Sequence, residues 1–377
     1  MDTQETQTPP FSEHFAALPD PRTRRADYPL QELLLVAVCA ILCGADNWVD
    51  VAEFGEAKLE WLRRILPFEN GVASHDAFGR VFALLDAAAF EACFIAWMSS
   101  LCPALEGAVP VDGKTVRRSH GAGRKAIHVV SAFAHGLGVA LGQVKTAEKS
   151  NEITAIPELL DALLLKGCLV TIDAMGCQKA IAAKILAKEA DYALMVKNNQ
   201  PGLAAAVEGF FEAAEREGFG EAAHTRAEWV EKGHGRIETR RCVAADAPAG
   251  VEALAGWPGL KTLVMVESLR EINGRASLER RYYISSRQAD AERLGLAVRG
   301  HWGVENRLHW LLDVAYGEDQ SRMREGNAAE NFSILRRITL NLIRLDKPRK
   351  TGVKNCRLKA GWDNAYMEKL LGMQALA

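Results

Sequence analysis

Two carboxylates close short apolar runs, and their placement is the first sign of chemistry. Asp112 follows "AVPV" and precedes Gly113, while Asp173 ends "LVTI" just before a helix-like stretch. Each alone has an ordinary role, since Asp-Gly is a common turn pair and an Asp before a helix is a good N-cap. Together they say more. If the first strand and the strand after the first crossover helix are neighbours, the two side chains meet at one sheet edge. Adjacent carboxylates raise each other's pKa unless a divalent cation lies between them, and hard oxygen donors suit Mg²⁺ or Mn²⁺. A third acid could come from "RGHWGVENRLHWLLDVAYGED". On a helix Trp302, Glu305, His309 and Asp313 share one broad face. Glu305 leads because the polar pair Glu305-Asn306 falls between two tryptophans, with Asp313, Glu318 and Asp319 as rivals.

The periodicity predicts the elements that hold these acids. Residues 1–10 read as a disordered lead-in. From 11 to 103 apolar residues recur at helical spacing, as in "PLQELLLVAVCAILCG" and "SHDAFGRVFALLDAAAFEACFIAWMSSL", which Ser74 or Asp76 would cap. An all-helical N-terminal domain follows. Residues 104–345 form the second unit. "AVPVDGK", "AIHVVSAFAH" and "GVALGQVKT" read as strands, then helix, strand, helix, strand and helix alternate through "CLVTIDA" and "YALMVK". The expected result is an α/β mixed sheet covered by helices. A β-rich insertion is expected at about 220–287, with strands "RIETRRCVAA", "TLVMVESLREI" and "RRYYISS" and a turn at Asn273-Gly274. Helices are expected again at 289–299, 302–314 and 327–345. The last stretch, 346–377, reads as a basic tail.

Composition excludes more than it proves. The charged fraction is 25% and the net charge −2, so any nucleic-acid surface must be local. Eight cysteines are scattered without a Cys-x-x-Cys pair, which argues against a zinc or disulfide framework and for a reducing compartment. The N-terminal residues are polar and the apolar run 33–43 is too short to span a bilayer. A cytoplasmic protein with no membrane contact is expected. No Gly-x-Ser-x-Gly arrangement suggests a serine hydrolase.

Four blocks are more specific: "VDGKTVRRS", "TIDAMGCQKAIA", "YALMVKNNQPGL" and "RGHWGVENRLHWLLDVAYGEDQSRMREGNAAENFSILRRITLNLIR". Together with "LPDPRTRRADYPLQELL", "ASHDAFGRVF" and "KAGWDNAYMEKLL" they resemble the H-repeat-associated (Rhs-linked) branch of bacterial insertion-sequence DDE transposases, over essentially the whole chain. The resemblance implies an RNase H-like catalytic core and places the metal-binding, catalytic triad on Asp112, Asp173 and Glu305. It implies cleavage of DNA at insertion-sequence ends and joining of the 3′-hydroxyl to target DNA, with two Mg²⁺ (or Mn²⁺) ions. It also implies double-stranded DNA as partner, a homodimer on that DNA, and a nucleoid-associated location.

In one respect the chain departs from the wider relatives, which surround the glutamate with a Tyr, an Arg and a Lys at set spacing, including the positions four before and seven after it. His301 and Leu312 stand there, so Arg299, His301 or Arg307 is the candidate phosphate ligand. Further DNA-binding candidates are Lys114, Arg117 and Arg118 after Asp112, and Lys197, Asn198 and Gln200 after the third core strand. His234, Arg236 and Arg240 in the insertion join them. Trp229 or Trp257 could stack on a base, though a buried packing role suits each as well. Two other outcomes fit the same residues: a metal-dependent endonuclease without strand transfer, and a silent DNA-binding remnant of a mobile element.

Overall fold

The structure is a computed structural model that describes residues 10–23, 26–102, 105, 107–120, 125–146, 152–219, 223–233, 236–272, 275–346 and 351–373. Its N-terminal part forms helices α1 (Pro10–Phe15), α2 (Leu30–Cys43), α3 (Trp48–Ala57), α4 (Leu59–Leu62), α5 (His75–Leu84) and α6 (Ala87–Leu101). Asn47, Ser74 and Asp86 each accept a backbone N–H three residues on, fixing the starts of α3, α5 and α6. Gly44, at φ 124, ends α2 in a conformation that side chains rarely adopt.

These helices are not a free-standing lobe. α2 is buried on nearly every side, because it packs against α12 (Ala328–Leu345) and α13 (Val353–Trp362) as well as its N-terminal neighbours. One apolar core runs from Phe15 through the sheet to Met373. The C-terminal stretch read as a basic tail is therefore mostly helical, as α13 and α14 (Asn364–Leu370). Arg357 is buried there, with its guanidinium 2.8 Å from the Ile41 carbonyl and 4.1 Å from the Tyr316 ring. Lys347, Arg349 and Lys350 lie outside the described residues, as do the lead-in to residue 9 and the Asn273-Gly274 turn.

The sheet carries the site. Its strands are β1 (Gly107–Thr115), β2 (His128–Ala134), β3 (Val139–Thr146), β4 (Cys168–Ile172), β5 (Asp191–Val196), β6 (His224–Gly233), β7 (Arg236–Asp246), β8 (Thr262–Ile272) and β9 (Arg275–Ser285). Their order is β3-β2-β1-β4-β5-β9-β8-β7-β6. β1 to β3 form an antiparallel meander, and β4 and β5 join β1 in parallel. Helices α7 (Glu152–Ala162) and α8 (Lys179–Ala187) make the crossovers, and α9 (Pro201–Arg216) follows β5. This is the sheet of an RNase H-like fold. The insertion adds strands to it, since β9 pairs antiparallel with β5 and the hydrogen bonding continues through nine strands.

The sequence pattern missed β6. It is an edge strand on which only partial burial alternates with exposure, so its apolar signal is weak. The helices expected at 289–299 and 302–314 form one run: α10 (Ala291–Val304), a π-helical turn at Glu305–His309, and α11 (Trp310–Val314). Gly300 and Gly303 do not break it. Both lie where a side chain would collide with the His135 ring, so they let the helix approach the end of β2 closely.

A buried acid predicts a pH effect on stability. Glu91 of α6 sits against β3, accepting the Gln143 N–H at 2.7 Å, and burial pushes its pKa up to about 8. The folded state thus holds a proton that the unfolded chain releases above about pH 4.5. Stability is lost as pH rises from there through 8. Glu91→Gln keeps the acceptor without the titration. It is expected to exceed wild type by roughly 2–4 kcal/mol near pH 8 and to match it near pH 4. Urea titrations at the two pH values test this, and a gap that does not grow with pH would refute it.

Candidate active site

Strand register brings the first two acids together. Val111 of β1 pairs with Ile172 of β4 in parallel, so Asp112 and Asp173 are the next residues on adjacent chains, about 5 Å apart along the ladder. Side-chain alternation does the rest. Lys114, two residues beyond Asp112, reaches Asp313 on α11, and Thr171, two before Asp173, reaches His301 on α10 at 3.1 Å. Asp112 and Asp173 therefore face the α10–α11 side of the sheet. Asp173 Oδ1 accepts the N–H groups of Met175 and Gly176 at 3.0 and 3.4 Å, which closes the turn into α8.

Glu305 opens the π-helical turn, where Trp310 N–H donates to its carbonyl five residues back. Such turns recur at functional sites. Two clamps flank it: the His301–Thr171 bond, and Arg307 donating to the His135 carbonyl at 3.0 Å. Glu305 itself is exposed. The pKa of Asp112 is pushed up to about 7, first by burial and then by the charges of Asp173 and Glu305, against the opposing Gly113 N–H. Asp173 and Glu305 are thus each close enough to Asp112 to act on its carboxylate. His309 stands beside Asp112, with Nδ1 3.6 Å from Asp112 Oδ2, while its buried Nε2 has no hydrogen-bond partner among the described residues. Burial, then Arg337 and Lys114, push its pKa down to about 3, so the ring is neutral.

The rivals to Glu305 are spent on cations. Asp313 binds Lys114, Asp319 lies 3.2 Å from Arg117, and Glu318 is fully buried between Lys114 at 2.8 Å and Arg337 at 3.2 Å. No ion pair holds Asp173 or Glu305 among the described residues, and Asp112 has only the neutral His309 ring beside it. Three exclusively oxygen-donating side chains with unbalanced charge are the donor set that suits Mg²⁺ or Mn²⁺. Among the described residues they do not close on a ready-made ion cage.

Several other sequence candidates have different places. The Lys114 ammonium, expected to meet DNA phosphates, is instead buried in the Asp313–Glu318 cluster and ties β1 to α11, because strand alternation turns it to the same face as Asp112. Gln200 ties two loops together by donating to the Cys177 carbonyl at 3.1 Å. His301 is committed to Thr171, and Leu312 is fully buried. Trp257 is buried, and Trp229 packs where Gly295 of α10 leaves room. Arg117, Arg118, Lys197 and Asn198 are exposed. His234 lies outside the described residues.

A groove of about 820 Å³ runs from Glu305 and Asn306 between α10 and the inner face of the insertion. Arg236, Arg240, Arg270, Arg281, Arg299 and Arg307 line it. Buried Glu238 gathers Arg240 at 2.7 Å, Arg270 at 3.3 Å and Arg236 at 3.8 Å, and Glu231 pairs with Arg299. Sequence reading missed Arg281, whose guanidinium lies 4.7 Å from the half-exposed Trp302 ring. Nothing in its local sequence marks it, since the fold alone brings β9 to α10. Beneath Asp112, on the opposite sheet face, Gly113 leaves room for His128 Nε2 and Glu152 Oε1, which lie 2.5 Å apart. Gly113→Ala would force a methyl into that buried pair. It is expected to lower the urea midpoint by the equivalent of about 1–3 kcal/mol, and an unchanged midpoint would refute this tight packing.

An acid-edged, RNase H-like sheet with an arginine groove leading to it defines a class of nucleic-acid-processing folds. Residues 103–342 match the family described as "Transposase DDE domain", and residues 12–98 match "DDE_Tnp_1-associated". The chain belongs to the DDE transposase family. It is 44% identical to Putative transposase YncI of Escherichia coli O157:H7, over 95% of this chain and 93% of that protein. It is 41% identical to H repeat-associated putative transposase YhhI of Escherichia coli K12, over 97% and 98%. Among solved structures, the piggyBac transposase synaptic complex with hairpin DNA aligns at 12% identity and a TM-score of 0.42, covering 97% of this chain and 78% of that one. No single helix among the described residues is long and apolar enough to cross a membrane.

Proposed function

We propose that this protein cuts DNA at the ends of its own insertion sequence and joins the freed 3′-hydroxyl to target DNA, with Asp112, Asp173 and Glu305 holding two divalent ions. The observation that carries the reading is the Asp112–Asp173 register on β1 and β4, with Glu305 acting on Asp112 and free of ion pairs among the described residues, while every rival acid is bound to Lys114, Arg117 or Arg337. Bound Mg²⁺ or Mn²⁺ supplies activation of the attacking oxygen and stabilisation of the leaving 3′-oxygen. The chain's own residues do the positioning. His309 crowds Asp112 as a neutral ring and adds no competing positive charge. The His301 and Arg307 clamps fix the turn that presents Glu305. Arg299 and Arg307 in the groove lead phosphates toward the acids. Two ends have to be held at once, so a homodimer on DNA is the acting form. The test is Mg²⁺-dependent cutting of a labelled duplex that carries the DNA end bordering this coding sequence. Binding without cutting would overturn the reading in favour of a silent remnant. Cutting of arbitrary duplex without end preference or joining would favour an endonuclease.

A further inference from the structure

A second cavity, of about 630 Å³, borders Asp173. Asp173, Met175, Gln178, Lys197, Asn198 and Tyr282 line it, and it shares Glu279 and Arg281 with the groove that contains Glu305. Asp173 thus borders one hollow and Glu305 the other, with Arg281 on their common wall. We infer that the Glu305 groove holds the element's own end, while the Asp173 cavity receives the target strand. This rests on the transposase reading above.

The chemistry requires two approaches of this kind. In joining, the 3′-oxygen of the cut end forms a bond to a target phosphorus as the bond from that phosphorus to the target 3′-oxygen breaks. The attacking hydroxyl gives its proton to solvent and the leaving oxygen takes one up. Attacking and leaving oxygens lie in line on opposite sides of the phosphate, so the two DNAs meet at the acids from opposite directions. The charges divide the roles. The Glu305 groove is the larger, about 820 against 630 Å³, and carries six guanidiniums, five of them held in place by Glu231, Glu238 or Glu279, a preset array that befits an end held through both steps. The Asp173 cavity has only three cations: Lys197, Arg280 paired with Glu215 and Glu267, and Arg281, which it shares with the groove.

What remains for the target is a braced tip. Asn199 donates to the Ala174 carbonyl at 2.5 Å and Gln200 to Cys177, anchoring the loop after β5. Lys197 and Asn198 project from it, exposed, and Lys197 has no ion pair among the described residues. One ammonium and one amide suit backbone contact without sequence readout, which fits a partner captured for a single step.

The experiment uses the full-length protein, Mg²⁺, a labelled duplex bearing the element's end, and a supercoiled plasmid as target. The ratio of joined product to cut end is scored. In Lys197→Ala/Asn198→Ala the ratio should fall about tenfold, the effect of losing one or two phosphate contacts. Arg299→Ala should weaken cutting and joining together and leave the ratio near wild type. Thermal melts confirm that both variants are folded. An unaltered ratio in the double variant, or a fall confined to Arg299→Ala, overturns the assignment while cutting continues. Absence of cutting by wild type removes the transposase reading and this inference with it.

Discussion

Glu305→Gln is expected to reduce Mg²⁺-dependent end cutting by at least about a thousandfold while leaving DNA binding near wild type. Losing one charged ligand from a two-ion site removes several kcal/mol of transition-state stabilisation, and each 1.4 kcal/mol is about tenfold in rate. The side chain is exposed at the head of a π-helical turn and has no ion pair among the described residues. Its removal therefore leaves no buried charge behind, and the thermal midpoint should move by less than about 1 kcal/mol in equivalent stability. Asp313→Asn is the informative comparison. Asp313 lies one helical stretch further on, but its carboxylate is bound to Lys114. That variant should melt earlier and still cut DNA below its melting point. Full cutting by Glu305→Gln, or loss of cutting by folded Asp313→Asn, would transfer the third ligand's role away from Glu305.

The strand-end acids were legible because both follow uninterrupted apolar runs, and a crossover helix between them puts their strands side by side. Glu305 was only favoured by the sequence reading. What separates it from Asp313, Glu318 and Asp319 is where Lys114, Arg117 and Arg337 lie, and those contacts span some 20 to 200 positions of chain. The same distance hid the fate of Lys114. Next to a Gly and two arginines it reads as a solvent-facing cation, yet strand alternation turns it inward with Asp112. Arg357 sits in a stretch whose composition reads as a loose basic tail, whereas its guanidinium meets carbonyls at the end of α2 and in the turn after α11. Composition reports charge but not whether a buried partner waits for it. β6 escaped for the converse reason. An edge strand takes its structure from its neighbour's hydrogen bonds and needs little apolar alternation of its own.

Glu318→Gln is expected to be the most destabilising single change outside the apolar core. The native carboxylate has no solvent exposure and lies among Lys114, Arg337 and Arg336, with Ser333 donating at 3.0 Å. Burial alone would raise its pKa, but Arg337, Lys114 and Arg336 together hold it far below the ordinary 4.5. The amide keeps the shape and removes the charge, which leaves Arg337, itself fully buried, without its counter-ion. Breaking a buried pair from one side costs about 3–5 kcal/mol, equivalent here to a drop on the order of 5–10 °C in thermal midpoint. The sign of the pH dependence follows from the same pair. Because the folded pKa is depressed, the contribution of Glu318 is present in full above about pH 4.5 and is lost as the pH falls toward the folded value. Wild type should therefore lose stability on acidification below pH 4.5, and the Gln variant should lose less over that interval. Lys114→Met and Glu318→Gln break the same Lys114–Glu318 contact, so the double variant should be less damaged than the sum of the singles. Strict additivity, or a wild-type-like midpoint for Glu318→Gln, would mean that β1 is held to α11 and α12 by packing alone.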